Sequence, residues 1–220
     1  MKILCVTYRN WASEIYRMLE EVYQDDHKFL TINSKENYND ALVYNFEPDL
    51  ILWYGWSWLI PENMVNKYHC LCLHPSPLPL YRGGSPIQNQ IISGEKKSAA
   101  TIFKMDSGVD TGDIIKQLPM SLEGNVEDIF ERMTNLGFAM TCDIFENNPQ
   151  AEVQNHIKAT TVKRREEKDS EITLNELQEK PASYIYNKIR MLTSPYPNAY
   201  VICGDGRKVY LIGATLDEDV

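Results

Sequence analysis

Long hydrophobic runs are missing from this chain of 220 residues: no apolar stretch approaches the roughly 18 residues that a membrane span requires, which removes a membrane from the expected partners. A secretory leader is not apparent either, because Met1 to Thr7 carries one charge and a short apolar run, the pattern of a first strand. The five cysteines form neither an even set nor a framework spacing, so free thiols in the reducing cytoplasm are the expectation. Positive charge is scarce. Lysine and arginine total 22 against 31 acidic residues, a formal net charge of -9, which lacks the long-range attraction that binding to a nucleic-acid backbone draws on. Glycine is absent from the loop after the first apolar run, Thr7-Tyr8-Arg9-Asn10-Trp11, where a dinucleotide-binding fold needs it to close on a pyrophosphate. Internal repeats and low-complexity tracts are absent too.

What is present is ordinary globular composition, 43% hydrophobic and 24% charged, in a length that suits one main domain. Short apolar runs alternate with helical patterns. Strands are expected at Lys2 to Thr7, Lys28 to Ile32, Leu50 to Tyr54, Cys70 to His74, Ala99 to Met105 and Asp113 to Leu118. Helices are expected at Ser13 to Tyr23 with Ser13 as N-cap, at Lys35 to Phe46, and at Val126 to Phe145. This rhythm predicts an α/β, Rossmann-like, mostly parallel sheet with helices on both faces, binding its ligand beyond the carboxyl ends of the strands. The charge run Lys163 to Asp169 reads as a solvated linker. A short helix from Pro181 to Met191 and a hairpin turning at Gly204-Asp205-Gly206 then make a small C-terminal element, residues 179–220, after a main domain of residues 1–178.

Two loops carry candidate chemistry. In "LCLHPSPLPLYRGGSP", side chains two apart on a strand share a face, so Cys70, Cys72 and His74 point one way and His74 sits at the carboxyl end. Pro75, Pro77 and Pro79 stiffen the loop that follows. Gly83 and Gly84 allow a backbone to approach a ligand, and Arg82 offers a planar donor for phosphate or carboxylate. In "MDSGVDTGDII", Asp106, Asp110 and Asp113 alternate with Gly108 and Gly112 between two expected strands. Asp110 beside His74 would orient the imidazole and make a proton carrier, although a structural histidine and ordinary Asp-Gly turns explain the same residues. The run His69-Cys70-Leu71-Cys72-Leu73-His74 invites a metal, but alternate residues on a strand lie ~6.6 Å apart along the chain, too far for two thiolates on one zinc without strain. No metal is expected.

Together these segments resemble the folate-dependent formyltransferase family, whose signature is Asn-x-His-x-Ser-x-Leu-Pro, a glycine-containing loop and a downstream Asp-x-Gly. They stand here as Cys72-Leu73-His74-Pro75-Ser76-Pro77-Leu78-Pro79, Tyr81-Arg82-Gly83-Gly84-Ser85-Pro86 and Val109-Asp110-Thr111-Gly112. "EPDLILWYGWSWLIPENMV" and "RMLTSPYPNAYV" resemble further family segments, and "KRREEKDSEI" is a looser match. The resemblance implies transfer of a formyl group from 10-formyltetrahydrofolate to a primary amine, with His74 as oxyanion donor and Asp110 as its partner and proton relay. It assigns folate to Trp56, Ser57, Trp58, Met105, Asp106 and Val109, with a base or core packing as the alternative for either tryptophan, and the amine substrate to Arg9, Ser76, Pro77, Tyr81, Arg82, Gly83 and Gly84. Cys72 departs from the family asparagine, a second oxyanion donor. Three readings stand open: a tolerated substitution, a slow or inactive enzyme, or a thiol nucleophile activated by His74.

Among the family's substrates, methionyl-tRNA is disfavoured by the charge of -9 and by only 40 residues after Lys180, where the tRNA enzymes carry a further domain. Glycinamide ribonucleotide is disfavoured because the first loop is not glycine-rich. The short C-terminal helix and hairpin resemble the sugar N-formyltransferases, implying a nucleotide-linked amino sugar as substrate and a homodimer as the assembly. A carrier-bound aminoacyl group, or a degenerate folate-binding protein, are the alternatives.

Overall fold

The computed structural model describes residues 1–194 and 196–217. In chain order the first elements are β1 (Lys2–Val6), α1 (Asn10–Tyr23), β2 (Lys28–Ile32), α2 (Asp40–Phe46), β3 (Leu50–Tyr54), α3 (Glu62–Lys67) and β4 (His69–His74). There follow β5 (Arg82–Gly83), α4 (Pro86–Ile92), β6 (Lys97–Lys104), β7 (Ile114–Ser121) and α5 (Val126–Asn147). The last are β8 (Thr161–Val162), α6 (Leu174–Glu179), α7 (Ala182–Arg190), β9 (Ala199–Ile202) and β10 (Lys208–Leu211).

Six strands form one sheet in the order β2-β1-β3-β4-β6-β7. The β1–β2, β1–β3 and β3–β4 pairs are parallel, and β4–β6 and β6–β7 are antiparallel. Alternation along each strand divides the core between the two faces. Ile3, Cys5, Leu52, Tyr54, Leu71 and Leu73 pack on one face against α1, α4 and α5. Leu4, Val6, Ile51, Trp53 and Cys70 pack on the other against Val43 of α2 and Met64 of α3. The fold is therefore the expected mostly parallel α/β sheet with helices on both faces. Helix α1 shows how sequence sets this: Ala12, Ile15, Tyr16 and Leu19 recur at helical spacing and are all buried, Ile15 and Leu19 at about 1.5–3 kcal/mol each.

Some boundaries differ from the expectation. Helix α1 begins at Asn10 with Arg9 as N-cap, so Ser13 lies inside the first turns rather than capping them. The Lys35 to Phe46 helix is only Asp40–Phe46, because the Asn39 side chain accepts from Leu42 N and starts the helix there. Residues Lys163 to Asp169 are not a free linker. Thr161–Val162 pairs in parallel with Arg82–Gly83, Arg165 N donates to Ser85 Oγ at 3.1 Å, and Lys208 Nζ reaches Glu167 at 2.8 Å. Charged side chains there cover backbone docked on the main domain. The C-terminal element also shares the main core, through Ile189, Met191, Leu192 and Ala199. Its hairpin turns at Gly206 and pairs β9 with β10 antiparallel, as expected. Residues 218–220, placed in that element from the sequence, lie outside the described residues.

Candidate active site

The strand order reverses at β1, whose neighbours are β2 on one side and β3 on the other, and the carboxyl ends of β1, β3 and β4 open together into a cleft of about 650 Å³. Tyr8 and Arg9 leave β1; Trp56, Ser57 and Trp58 leave β3. The two loops are tied by the Tyr8 hydroxyl and Ser57 Oγ at 2.6 Å, and Tyr8 stacks edge-on against Trp58 with centroids 4.7 Å apart. Trp56 packs against both Trp53 and Trp58. The Arg9 guanidinium lies 4.5 Å from the Tyr8 ring centroid and 5.1 Å from that of Tyr196.

His74 ends β4 at the floor of this cleft, only 5% exposed. Its Nε2 meets the Tyr81 carbonyl at 2.9 Å. A carbonyl only accepts, so this contact assigns a proton to Nε2 and leaves Nδ1 facing the cleft and Asp110, whose Oδ2 lies 3.4 Å away. The same Oδ2 accepts from Gly83 N at 2.8 Å. Asp110 does not arrive from the carboxyl end of β4. Strand β6 runs antiparallel to β4 and ends beside Leu71, with Met105 N donating to Cys70 O. The loop then travels back along β4, over the face that carries Cys72, to bring Asp110 to His74. Asp106 shapes its start by accepting from Gly108 N and Thr111 Oγ1 at 3.0 and 2.5 Å. Asp110 itself adopts the left-handed conformation, φ 54°.

Cys72 lies under this loop and lines the cleft. Burial, with the Asp110 charge adding to it, holds its thiol well above the ordinary value, so the thiolate that nucleophilic attack needs is suppressed. Among the described residues no group of three or more His, Cys, Asp or Glu is arranged to hold a metal ion, and no helix is long and apolar enough to cross a membrane.

The cleft brings together Cys72, His74, Asp110, Arg9, Gly83 and Gly84, and also Trp56, Ser57, Trp58, Met105, Asp106 and Val109. Four residues assigned to the substrate are turned away from it. Ser76 is buried with its Oγ donating to Leu80 O, and Pro77 belongs to that same turn. The Tyr81 hydroxyl donates outward to Glu95. Arg82 is 7% exposed and spends its guanidinium on Gln154 and His156 instead of a ligand phosphate. Gly83 and Gly84 do permit a close approach, but the backbone that approaches is the chain's own. A Cβ on Gly83 would overlap Val162 O, Gly83 has φ 101°, and a Cβ on Gly84 would lie 2.5 Å from Arg164 Cβ.

Sequence reasoning missed Arg164, Arg165, Gln88 and Tyr196, which also line the cleft. Arg164 Nη2 donates to Ser57 O at 3.0 Å and so links the late segment to the β3 loop. The signal for both arginines was the docked charge run; for Tyr196 it was the segment "RMLTSPYPNAYV", whose Pro195 lies outside the described residues.

Comparison with known proteins bears on the family and the fold. A methionyl-tRNA formyltransferase of Sulfurimonas denitrificans is 32% identical over 168 residues, 74% of this chain and 54% of the relative. The chain thus spans about half the length of the curated relatives it matches. The structure of a methionyl-tRNA formyltransferase from Clostridium thermocellum superposes with a TM-score of 0.85 at 29% identity, covering 96% of each chain. That of a sugar N-formyltransferase from a Shewanella species superposes with a TM-score of 0.76 at 21% identity, covering 99% of each, a likeness of fold. Residues 20–143, from α1 through most of α5 and so through the His74 and Asp110 loops, match the sequence model described as formyl transferase, and with more than half its length so matched the chain belongs to that family.

Proposed function

We propose that this protein transfers the formyl group of 10-formyltetrahydrofolate to a primary amine, and that the amine is borne by a nucleotide-linked sugar. The observation that carries the reading is His74 Nδ1 facing Asp110 Oδ2 at 3.4 Å on the floor of a cleft of about 650 Å³, a volume suited to small ligands. The cleft suits a folate in chemistry as well. Trp56 and Trp58 offer flat apolar surface for a ring system, and the Met105 to Asp110 loop lies over the adjoining face of β4. Folate supplies the activated one-carbon unit.

The residues act as follows. As the amine nitrogen bonds to the formyl carbon, the formyl oxygen gains negative charge, and protonated Nδ1 of His74 donates to it while the Tyr81 carbonyl holds Nε2. Asp110 takes the proton that the amine must lose, and that proton passes to the folate nitrogen as its bond to the formyl carbon breaks, giving the formamide and tetrahydrofolate. Gly83 N keeps Oδ2 in place throughout. Cys72 stays a protonated thiol and takes no covalent part. Arg9, Arg164 and Arg165 at the cleft supply a compact positive rim on a chain of net charge -9, which suits a diphosphate better than a long polyanion. A second reading, methionyl-tRNA as the amine, is favoured by the names of the curated relatives. A homodimer is proposed as the assembly.

The test is a mass-shift assay with 10-formyltetrahydrofolate, a panel of nucleotide-linked 4-amino-4,6-dideoxy sugars, and methionyl-tRNA, run on the wild type, His74→Ala and Cys72→Asn. A gain of one formyl group on a sugar, lost in His74→Ala and kept or raised in Cys72→Asn, is the expected result. Formylation of methionyl-tRNA alone would replace the sugar reading with the second one. No product with any amine from either the wild type or Cys72→Asn would overturn the activity.

A further inference from the structure

Two residues, one on either side of Arg82, hold the His74–Asp110 pair. The Tyr81 carbonyl fixes the imidazole and the Gly83 N–H fixes the carboxylate oxygen. Between them Arg82 points the other way, and its burial follows from a partner that no motif announced. Gln154, 3% exposed, accepts at Oε1 from Arg82 Nε at 3.2 Å and from Arg82 Nη2 at 2.6 Å. Its Nε2 donates to the carbonyl of Asp110 at 3.1 Å and to that of Gly112 at 2.6 Å.

The orientation of this amide is fixed by chemistry. Arginine has no acceptor and a carbonyl has no donor, so the oxygen must face Arg82 and the nitrogen must face the loop. Both lone pairs and both N–H groups are then used. Glutamate would lack the donors, lysine or arginine the acceptor, and asparagine the length. The backbone under Gln154 is held as well, because Glu152 and Ile114 exchange both backbone hydrogen bonds at 2.7 and 2.8 Å.

What Gln154 grips is the turn that an aspartate adopts reluctantly. Asp110 is left-handed at φ 54°, a conformation that surrounding contacts must maintain in a residue with a Cβ. Drawing the carbonyls of Asp110 and Gly112 onto one amide group pins both sides of the turn, while Gly83 N pins its carboxylate. We infer that Gln154, backed by Arg82, is a positioning residue that sets the distance between the Asp110 carboxylate and His74. The inference rests on the catalytic reading above for its consequence, and on these hydrogen bonds alone for its geometry. Displacement of the carboxylate by about 1 Å would cost on the order of 10²-fold in rate.

The experiment compares the wild type with Gln154→Glu, which keeps shape but loses both donors, Gln154→Met, Arg82→Lys, and Asp110→Ala as the reference for a lost carboxylate. Amide ¹H–¹⁵N spectra of the ligand-free proteins are followed at Gly83, and kcat and KM are measured with 10-formyltetrahydrofolate and dTDP-4-amino-4,6-dideoxyglucose. The Gly83 amide is expected to move in both Gln154 variants toward its Asp110→Ala position, with the amides of β1 and β3 unmoved. The rate constant kcat should fall about 10- to 100-fold with KM within twofold of wild type. A Gly83 amide that stays at its wild-type position in Gln154→Glu and Gln154→Met while Asp110→Ala moves it would overturn the inference. So would a kcat loss matched by the fraction of unfolded protein. Should the wild type be inactive with this sugar, that result bears on the proposed function alone, and the Gly83 amide still decides the geometry. Should either Gln154 variant fail to fold, Arg82→Lys, which alters the clamp from behind, is read at the Thr111 amide, which shares a peptide group with the Asp110 carbonyl that Gln154 holds.

Discussion

Replacing Asp110 by asparagine removes a charge and little else. The amide oxygen can still accept from Gly83 N, and the left-handed turn remains held by its backbone contacts, so the fold should lose no more than the difference between a charged and a neutral hydrogen bond. That is about 1 kcal/mol, or roughly 2–4 °C in Tm for a chain of this size. The effect on catalysis should be far larger. Coulomb's law for an imidazolium and a carboxylate 3.4 Å apart, with an effective dielectric constant of about 20 for this largely buried pair, gives about 5 kcal/mol. At 1.36 kcal/mol per tenfold this bounds the loss at three to four decades, and the usual worth of a positioned acid or base, about 10²- to 10⁴-fold, falls inside that bound. The assay is single-turnover formyl transfer read by mass, alongside a thermal melt. An Asp110→Asn protein that retains more than a tenth of the wild-type rate would refute the reasoning, because the charge would then have no part in the step.

Three further outcomes are expected. Cys72 should resist iodoacetamide at pH 7–8, since burial keeps its thiol protonated, while exposed Cys203 alkylates first; peptide mapping that finds Cys72 labelled as fast would restore the nucleophile reading. Stability should hold up to about pH 9 and then decline. Burial pushes the Cys70 thiol from 9.0 up to about 11, so the unfolded chain releases its proton first, and this contribution, complete below pH 9, is lost as the pH climbs toward 11. Buried Tyr16 and Tyr54 act in the same direction at higher pH, and a Tm that rises above pH 9 would contradict the sign. Gly83→Ala should lower Tm by roughly 2–12 °C, from about 1–3 kcal/mol of backbone strain at 2–4 °C per kcal/mol, with the β5–β8 pairing disturbed further by the overlap at Val162 O. An unchanged melt would show that this approach is not tight.

Strands β1 to β4 were legible because each is a short apolar run between turn residues, and α1 and α5 because their buried positions repeat at helical spacing. Helices α3 and α4 have six and seven residues, too few to display a period, and went unread. Strands β5 and β8 have two residues each, and nothing local marks a pair joined 79 positions apart. The site divides in the same way. His74 was placed by alternation along one strand, and Asp110 by its family motif, but its route over the face of β4 depends on β6 being antiparallel, which spacing does not encode. Arg82 was misread for a related reason. Guanidinium chemistry suits a phosphate and an amide oxygen alike, and only the position of Gln154, 72 residues later, decides between them.

The pairing of β5 with β8 also has a bearing on the order of events at the ribosome. All six strands of the main sheet have been made once Ser121 is reached, and with them His74 and the loop bearing Asp110. The wall built from Arg164 and Arg165 is synthesised some forty residues later, and Tyr196 later still. A nascent chain can therefore own a complete sheet while the turn at Asp110 lacks Gln154 and the cleft stands open on one side. Cutting the stretch between Asn147 and Gln154 in the finished protein would leave the later wall held to the sheet by its hydrogen bonds and packing alone, with every proposed catalytic residue still present.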